Sequence, residues 1–206
     1  MTRINGEPIN LVISGVGGQG NILLSRLIGR SLLKKGYLVS IGETLGVAQR
    51  GGAVMSNIRI SEKMPFGPLT PEGKAHLIVS LEPLETLRML SRYGNPEVTT
   101  LTNFRPTLTV DVLTRKDKYP DYAALKQAID TLSGTAFFLD ATAMALKLGN
   151  PIITNVIMMG ALISLDMIPL TREDIEAEIK ASFSADRAEL NLTALAHGID
   201  AIAAGT

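Results

Sequence analysis

A Rossmann-like α/β domain is the fold this sequence predicts: a doubly wound, mostly parallel sheet followed by a helical C-terminal third. Three observations predict it. Short apolar runs alternate with helical patterns along the first two thirds of the chain. The first of those runs ends in a glycine-rich turn that opens a helix. The last third reads as one helix after another. The 206 residues are enough for one domain with a substantial core and few for two. No internal repeat, low-complexity tract or linker divides them, so residues 1–206 are expected to form a single domain.

Residues 9–14 (INLVIS) are mostly apolar up to the glycines and read as a buried strand. From 18 to 35, Ile22, Leu23, Leu27, Ile28 and Leu32 share one helical face, and Gly36 stops the helix. Residues 37–41 form a second strand. The resulting β–α–β unit predicts a parallel pair with a right-handed crossover. Residues 43–52 (ETLGVAQRGG) follow neither period and read as a loop. Residues 53–60 alternate apolar and polar, as a strand does. Pro65, Pro68 and Pro71 exclude regular structure across 63–73.

Residues 76–81 form a strand. A helix follows at 83–93, with Pro83 in its first turn and its cap near Ser80 or Leu81. Residues 98–103 form the next strand, and 109–113 a short one before a charged loop. A helix at 122–132, a strand at 136–139 and a helix at 142–148, stopped by Gly149, come next. Residues 152–165 are apolar nearly all round and predict a buried helix. Its run of apolar residues is too short to cross a bilayer. Thr171-Arg172-Glu173-Asp174 is a capping-box pattern opening a helix to 181, and a last helix spans 186–203.

Composition narrows the function. The formal net charge is zero and no basic stripe is visible, which argues against nucleic acid as a partner. Aromatic residues make up only 4 %, without tryptophan, which argues against base or sugar stacking. There is no cysteine. The chain therefore has no thiolate nucleophile, disulfide, zinc–thiolate site or cysteine-held iron–sulfur cluster. That absence fits a reducing, cytoplasmic location. The N-terminus lacks a signal-peptide pattern, and no membrane association is expected. His76 and His197 sit in no metal-spacing motif, and no metal site is expected.

The strongest motif is Gly15-Val16-Gly17-Gly18-Gln19-Gly20, which satisfies G-x-G-x-x-G between a strand and a helix. Glycines let the backbone turn sharply and approach a ligand, and a helix N-terminus offers free N–H groups to an anion. Glu43, after the second strand, suits the ribose position of a nicotinamide or flavin site. A stand-alone dinucleotide-binding oxidoreductase, or a non-catalytic nucleotide-binding domain, is therefore one reading. Gln19 adds an amide that can face a ligand or a neighbouring chain. A second glycine segment, Gln49-Arg50-Gly51-Gly52, lies at the same end of the sheet, where loops line the crevice of an open α/β fold. Arg50 offers a charged planar fork to carboxylate or phosphate. Asn103 follows another strand and can meet a ligand or cap a loop. Asn150 and Asn155 read as residues that organise backbone, Asn191 as a packing residue or a partner contact, and Met158 and Met159 as core or interface filler. No Ser–His–Asp set, HExxH, P-loop lysine or paired-carboxylate pocket is evident, so no catalytic residue is assigned.

The segments GVGGQGNILLSRLIGRSLL, ETLGVAQRGGAVMSNIRIS, PLTPEGKA, LEPLETLR, TNFRP, LGNP, NVIMMGAL and NLTAL occur in this order. Together they resemble the small, γ-type subunit of the 2-oxoacid:ferredoxin oxidoreductases over nearly the whole chain. LEPLETLR and LGNP point to the indolepyruvate branch. The resemblance implies a heteromer. A large partner subunit would carry thiamine diphosphate and 4Fe-4S clusters, decarboxylate the 2-oxoacid and pass electrons singly to ferredoxin, while coenzyme A takes the acyl group. It implies no tightly bound cofactor in this chain. By carry-over, Gly15, Gly17, Gly18, Gln19, Gly20, Arg50, Gly51, Gly52 and Asn103 are the residues expected to meet coenzyme A or the catalytic subunit. Two positions depart from the family pattern. Leu45-Gly46 stands where His-Gly is common, and His76 stands where Asp is common after G-K-A.

Overall fold

The structure, a computed structural model, describes residues 7–44, 52–107 and 118–205. The strand suggested at 109–113 lies outside the described residues. Six strands form one sheet: β1 (Ile9–Val16), β2 (Leu38–Thr44), β3 (Ala53–Ser61), β4 (Leu77–Ser80), β5 (Thr99–Asn103) and β6 (Thr135–Leu139). Their order is β2-β3-β1-β4-β5-β6. The pairs β1–β4, β4–β5 and β5–β6 are parallel. β3 is antiparallel to both its neighbours, β1 and β2.

The sheet is thus mostly parallel, as expected, with one difference. β1 and β2 do run the same way, but β3 lies between them. The expected β–α–β crossover therefore skips a strand. Helical packing predicts direction but not adjacency, and β3 pairs on both sides: Val12 opposite Asn57, and Gly42 opposite the same Asn57.

Helices cover both faces. On one face lie α1 (Asn21–Lys34), α4 (Ala141–Lys147), α5 (Thr154–Ser164), α6 (Arg172–Ser182) and α7 (Ala185–Ala203). Leu24, Leu27 and Ile28 of α1 pack there with Leu11 and Ile13 of β1 and with the buried α5. On the other face, α2 (Pro83–Tyr93) and α3 (Tyr122–Leu132) set Leu90, Tyr93, Leu125 and Ile129 against Val12 and Ile78. β1 has side chains buried toward both faces, as a central strand must. A 3-10 turn, Pro151–Ile153, leads into α5.

Two helix starts show how sequence sets boundaries. Thr171 Oγ1 accepts from Asp174 N–H while the Asp174 carboxylate accepts from Thr171 N–H, the reciprocal box read from the sequence. The cap of α2 is Glu82, not Ser80 or Leu81. Its carboxylate accepts from Glu85 N–H at 2.9 Å, a role that shorter side chains usually take. Between α1 and α6, the buried Glu178 accepts from Lys34 Nζ at 2.5 Å and from Ser182 Oγ at 2.8 Å. Burial works to raise the Glu178 carboxyl. The Lys34 and Ser182 hydrogen bonds, with the Lys34 and Arg30 charges, outweigh it and hold the group below the usual carboxylate range.

α5 and α7 approach each other through two glycines. A Cβ at Gly198 would overlap the carbonyl oxygen of Ile157, and one at Gly160 would overlap that of Leu195. Backbone cannot yield as a flexible side chain can, so each position requires glycine.

Candidate functional site at the carboxyl ends of the strands

The glycine turn joins the end of β1 to α1. Gln19 N–H donates to Val16 C=O at 3.2 Å and closes the turn. Gly18 and Gly20 have φ of 99° and 86°, in the left-handed region that favours glycine. Gly18 is exposed, and among the described residues a Cβ there would meet nothing within 4 Å. The outer side of the turn is open.

Gln19 fastens the inner side. Its Oε1 accepts from Val16 N–H at 2.7 Å. Its Nε2 donates to Leu81 C=O at 3.1 Å and to Thr107 Oγ1 at 2.9 Å. The amide expected to face outward is engaged within the chain, tying β1 to the ends of β4 and β5. Asn103, fully buried at the end of β5, works the same way. Its Nδ2 donates to the same Leu81 C=O and to Thr142 Oγ1, both at 3.0 Å, and its Oδ1 accepts from Thr142 N–H. Of the two roles read for Asn103, the geometry matches the cap.

Gly17 N–H donates to Gly52 C=O at 2.8 Å. The first glycine segment therefore touches the end of the second. Arg50 and Gly51 lie outside the described residues. Gly15 is buried under Gln19 and Asn21. A Cβ there would lie 2.7 Å from Gln19 Oε1 and 2.9 Å from the Asn21 amide. A residue from far along the chain completes the turn: Asn155 Nδ2, on α5, donates to Gly20 C=O at 3.2 Å. The sequence gives no local sign of this contact, because 135 residues separate the two.

The first helical hydrogen bond of α1 runs from Leu24 N–H to Gly20 C=O. Among the described residues, the N–H groups of Gly18, Gly20, Asn21, Ile22 and Leu23 have no acceptor. They form a cluster of donors at the positive end of a 14-residue helix. That arrangement suits an anion such as phosphate or carboxylate.

The dinucleotide reading does not fit this frame. Glu43 lies within β2, not beyond it, and β3 separates β2 from β1. Two strand spacings, about 10 Å, stand where a Rossmann site has one. Glu43 instead accepts from Ser25 Oγ at 3.4 Å.

Sequence reasoning also missed a cluster of buried carboxyls at the same end of the sheet. Tyr119 O–H donates to Glu82, whose other oxygen caps α2. Glu85 is paired with Arg88 through one oxygen, while its buried Oε2 has no partner among the described residues. Burial pushes the Glu85 carboxyl up. Arg88 opposes this, and the nearby Glu82 adds to it. Burial likewise pushes the Tyr119 phenol far up, reinforced by Glu82. Hydroxyl pairs extend the network inward: Ser14 with Ser80 at 2.8 Å and Thr86 with Thr102 at 3.1 Å. Among the described residues, no helix is long and apolar enough to cross a membrane, and no three His, Asp or Glu side chains gather as a metal would need.

A mostly parallel sheet with a donor-lined glycine turn and no cysteine describes a class: an α/β domain that cannot by itself hold a cysteine-ligated iron–sulfur cluster. The pyruvate ferredoxin/flavodoxin oxidoreductase family model matches residues 10–201, and the chain belongs to that family. It is 36 % identical to the indolepyruvate oxidoreductase subunit IorB of Pyrococcus horikoshii, over 95 % of this chain and 96 % of that one. The fold is similar to that of the keto/oxoacid ferredoxin oxidoreductase gamma subunit of Geobacter sulfurreducens, with a TM-score of 0.67 and 18 % identity. That match covers 95 % of this chain and 99 % of the other. The pyruvate oxidoreductase subunit of Thermotoga maritima gives a TM-score of 0.69 at 20 % identity, over 95 % and 97 %.

Proposed function

We propose that this chain is the small subunit of a 2-oxoacid:ferredoxin oxidoreductase that acts on an aryl-pyruvate such as indolepyruvate. The complex converts the 2-oxoacid and coenzyme A to an acyl-CoA and CO2 and reduces ferredoxin. Thiamine diphosphate and iron–sulfur clusters, held by a larger subunit, supply the decarboxylation and the electron path. This chain has no cysteine with which to hold a cluster. Its part is to present donors.

The observation that carries this reading is the row of unpaired N–H groups at the start of α1, beside the open face of Gly18. Coenzyme A brings phosphates whose oxygens can accept from such a row, and Arg50 is proposed to add charge from the QRGG segment. Gln19 and Asn103 hold the ends of three strands in place from behind. Full-length similarity to IorB supports the indolepyruvate branch. The protein is proposed to act in the cytoplasm.

Co-expression with a large thiamine- and cluster-bearing partner tests the proposal. The expected result is a stable complex that reduces viologen or ferredoxin only with an aryl-pyruvate and coenzyme A present, while the isolated chain is inactive. Arg50→Ala is expected to raise the KM for coenzyme A about tenfold or more, the loss of one charged contact. A complex that forms but shows no 2-oxoacid-dependent reduction would refute the function. An unchanged KM with lost assembly would move Arg50 from the ligand to the interface.

A further inference from the structure

Every residue of α5 from Thr154 to Ile163 is buried, and Asn155, 2 % exposed, is the one amide among them. A buried amide costs free energy unless it is hydrogen-bonded, so its partner is informative. Asn155 Nδ2 donates to Gly20 C=O at 3.2 Å, and a Cβ at Gly20 would overlap the same Nδ2. That carbonyl already accepts the first helical hydrogen bond of α1, from Leu24 N–H at 3.0 Å. It needs no second donor to be satisfied.

The second donor has another consequence. Gly20 C=O and Asn21 N–H belong to one peptide unit, and in a trans peptide the two point opposite ways. With the oxygen held inward by Leu24 and Asn155, the Asn21 N–H points back out of the start of α1, among the unpaired donors. Gly20 sits at φ 86° and ψ 23°. A glycine passes between backbone basins at little cost, so its own conformation does not fix the plane of that peptide. A donor on the carbonyl also polarises the unit and strengthens its N–H as a donor. Asn155 is well supported for this work. Asn150 Oδ1 accepts from Ile152 N–H at 3.0 Å and Thr154 Oγ1 donates to Pro151 C=O at 2.8 Å, bracing the turn before it, and α5 is locked against α7 at Gly160 and Gly198.

We infer that Asn155 is a positioning residue for the ligand: it fixes and polarises the Gly20–Asn21 peptide so that Asn21 N–H stays aimed at a phosphate of coenzyme A. This rests on the proposed function for the ligand. The effect is reciprocal. An anion on Asn21 N–H polarises the same peptide and tightens the bond from Asn155 to Gly20 C=O.

A titration of the full-length chain with inorganic pyrophosphate, followed by nitrogen-15 NMR, tests this first without any substitution. The Asn21 amide and the Asn155 side-chain amide are expected to shift together and to saturate at the same concentration. A shift of Asn21 without Asn155 would overturn the inference and leave the donor row standing. No shift of Asn21 would overturn both. Two variants follow. Asn155→Leu keeps the size and removes the donor; with native circular dichroism it should bind pyrophosphate about fivefold more weakly, the loss of one hydrogen bond. Asn155→Asp keeps the shape, and its carboxyl can donate only when protonated. Its weakness relative to the wild type should therefore fade between about pH 8 and about pH 5, while that of Asn155→Leu should not. Unchanged affinity in a folded Asn155→Leu, or equal loss in both variants at every pH, would overturn the inference. In the assembled enzyme Asn155→Leu should raise the KM for coenzyme A with kcat and the KM for the 2-oxoacid unchanged, whereas mere loss of folded protein would lower kcat alone. Viologen reduction by the wild-type complex reports on the proposed function separately, so the two can fail independently.

Discussion

Glycines do opposite work in two places in this molecule. Gly160 and Gly198 are glycines because the space beside them is full: the backbone of the facing helix occupies the place of a Cβ. Gly18 is a glycine although the space beside it is empty, because its φ of 99° suits no other residue well. The first kind is enclosed within the chain's own core. The second leaves a face open to another molecule. The difference teaches how to rank glycines as functional candidates. A filled environment explains a glycine by packing alone, whereas an empty one beside unpaired N–H groups leaves room for a ligand or partner.

The largest expected effect would break the packing side of this comparison. Gly198→Ala drives a methyl group into the Ile157 carbonyl and should cost about 3 kcal/mol. For a chain of this size that is a melting temperature lower by about 6–12 °C. A thermal melt within 2 °C of wild type, on the order of 1 kcal/mol or less, would show that α5 and α7 can slide apart and that the contact is not rigid.

How much of this could be read in advance depends on distance along the chain. The boundaries of α2 and α3 follow from periodicity and from Pro83, and structure and sequence agree on both. The box at Thr171 and Asp174 is likewise local. The place of β3 was not legible, because alternation marks a strand without naming its neighbours. Of the site, the glycine turn was evident from spacing. Its fastening by Asn155 and the joint use of Leu81 by Gln19 and Asn103 were not, since these are contacts between distant residues. Glu82 and Tyr119 escaped notice because glutamate is an uncommon cap and the pair spans 37 residues.

A smaller effect would sharpen the open side of the comparison. Gly18→Ala meets no atom of the described residues, so its expected cost is the left-handed backbone, about 1–2 kcal/mol. The melting temperature should fall by less than in Gly198→Ala, while under the proposed function the KM of the assembled enzyme for coenzyme A should rise as the added methyl group crowds the donors. A stability loss as large as that of Gly198→Ala would mean that the turn is packed after all, and would remove the distinction drawn between the two kinds of glycine.

The smallest effect concerns the opposite end of the sheet and serves as a contrast to both. Asn10 N–H donates to His76 Nδ1 at 3.0 Å, which requires an unprotonated Nδ1. Burial holds the His76 imidazole below its usual range, with Glu97 pulling the other way. In the unfolded chain the group takes up its proton at higher pH, near about 6.5. Its contribution is therefore present above that value and is lost as pH falls through the folded value. Melting temperatures measured from about pH 7.5 down to about pH 5 should decline less steeply in His76→Gln than in the wild type. Parallel declines would remove His76 from the account.

The carbonyl of Leu81 has a mechanical consequence. One oxygen receives both Gln19, from the turn that follows β1, and Asn103 from β5, while Leu81 itself continues β4. Three strand ends thus share a single pivot. A load applied at any one of them, by a docking surface or by a ligand pulling on the glycine turn, is borne by all three together. The rim of the sheet would then shift as a stiff plate, and any give must come from the segments hung from it.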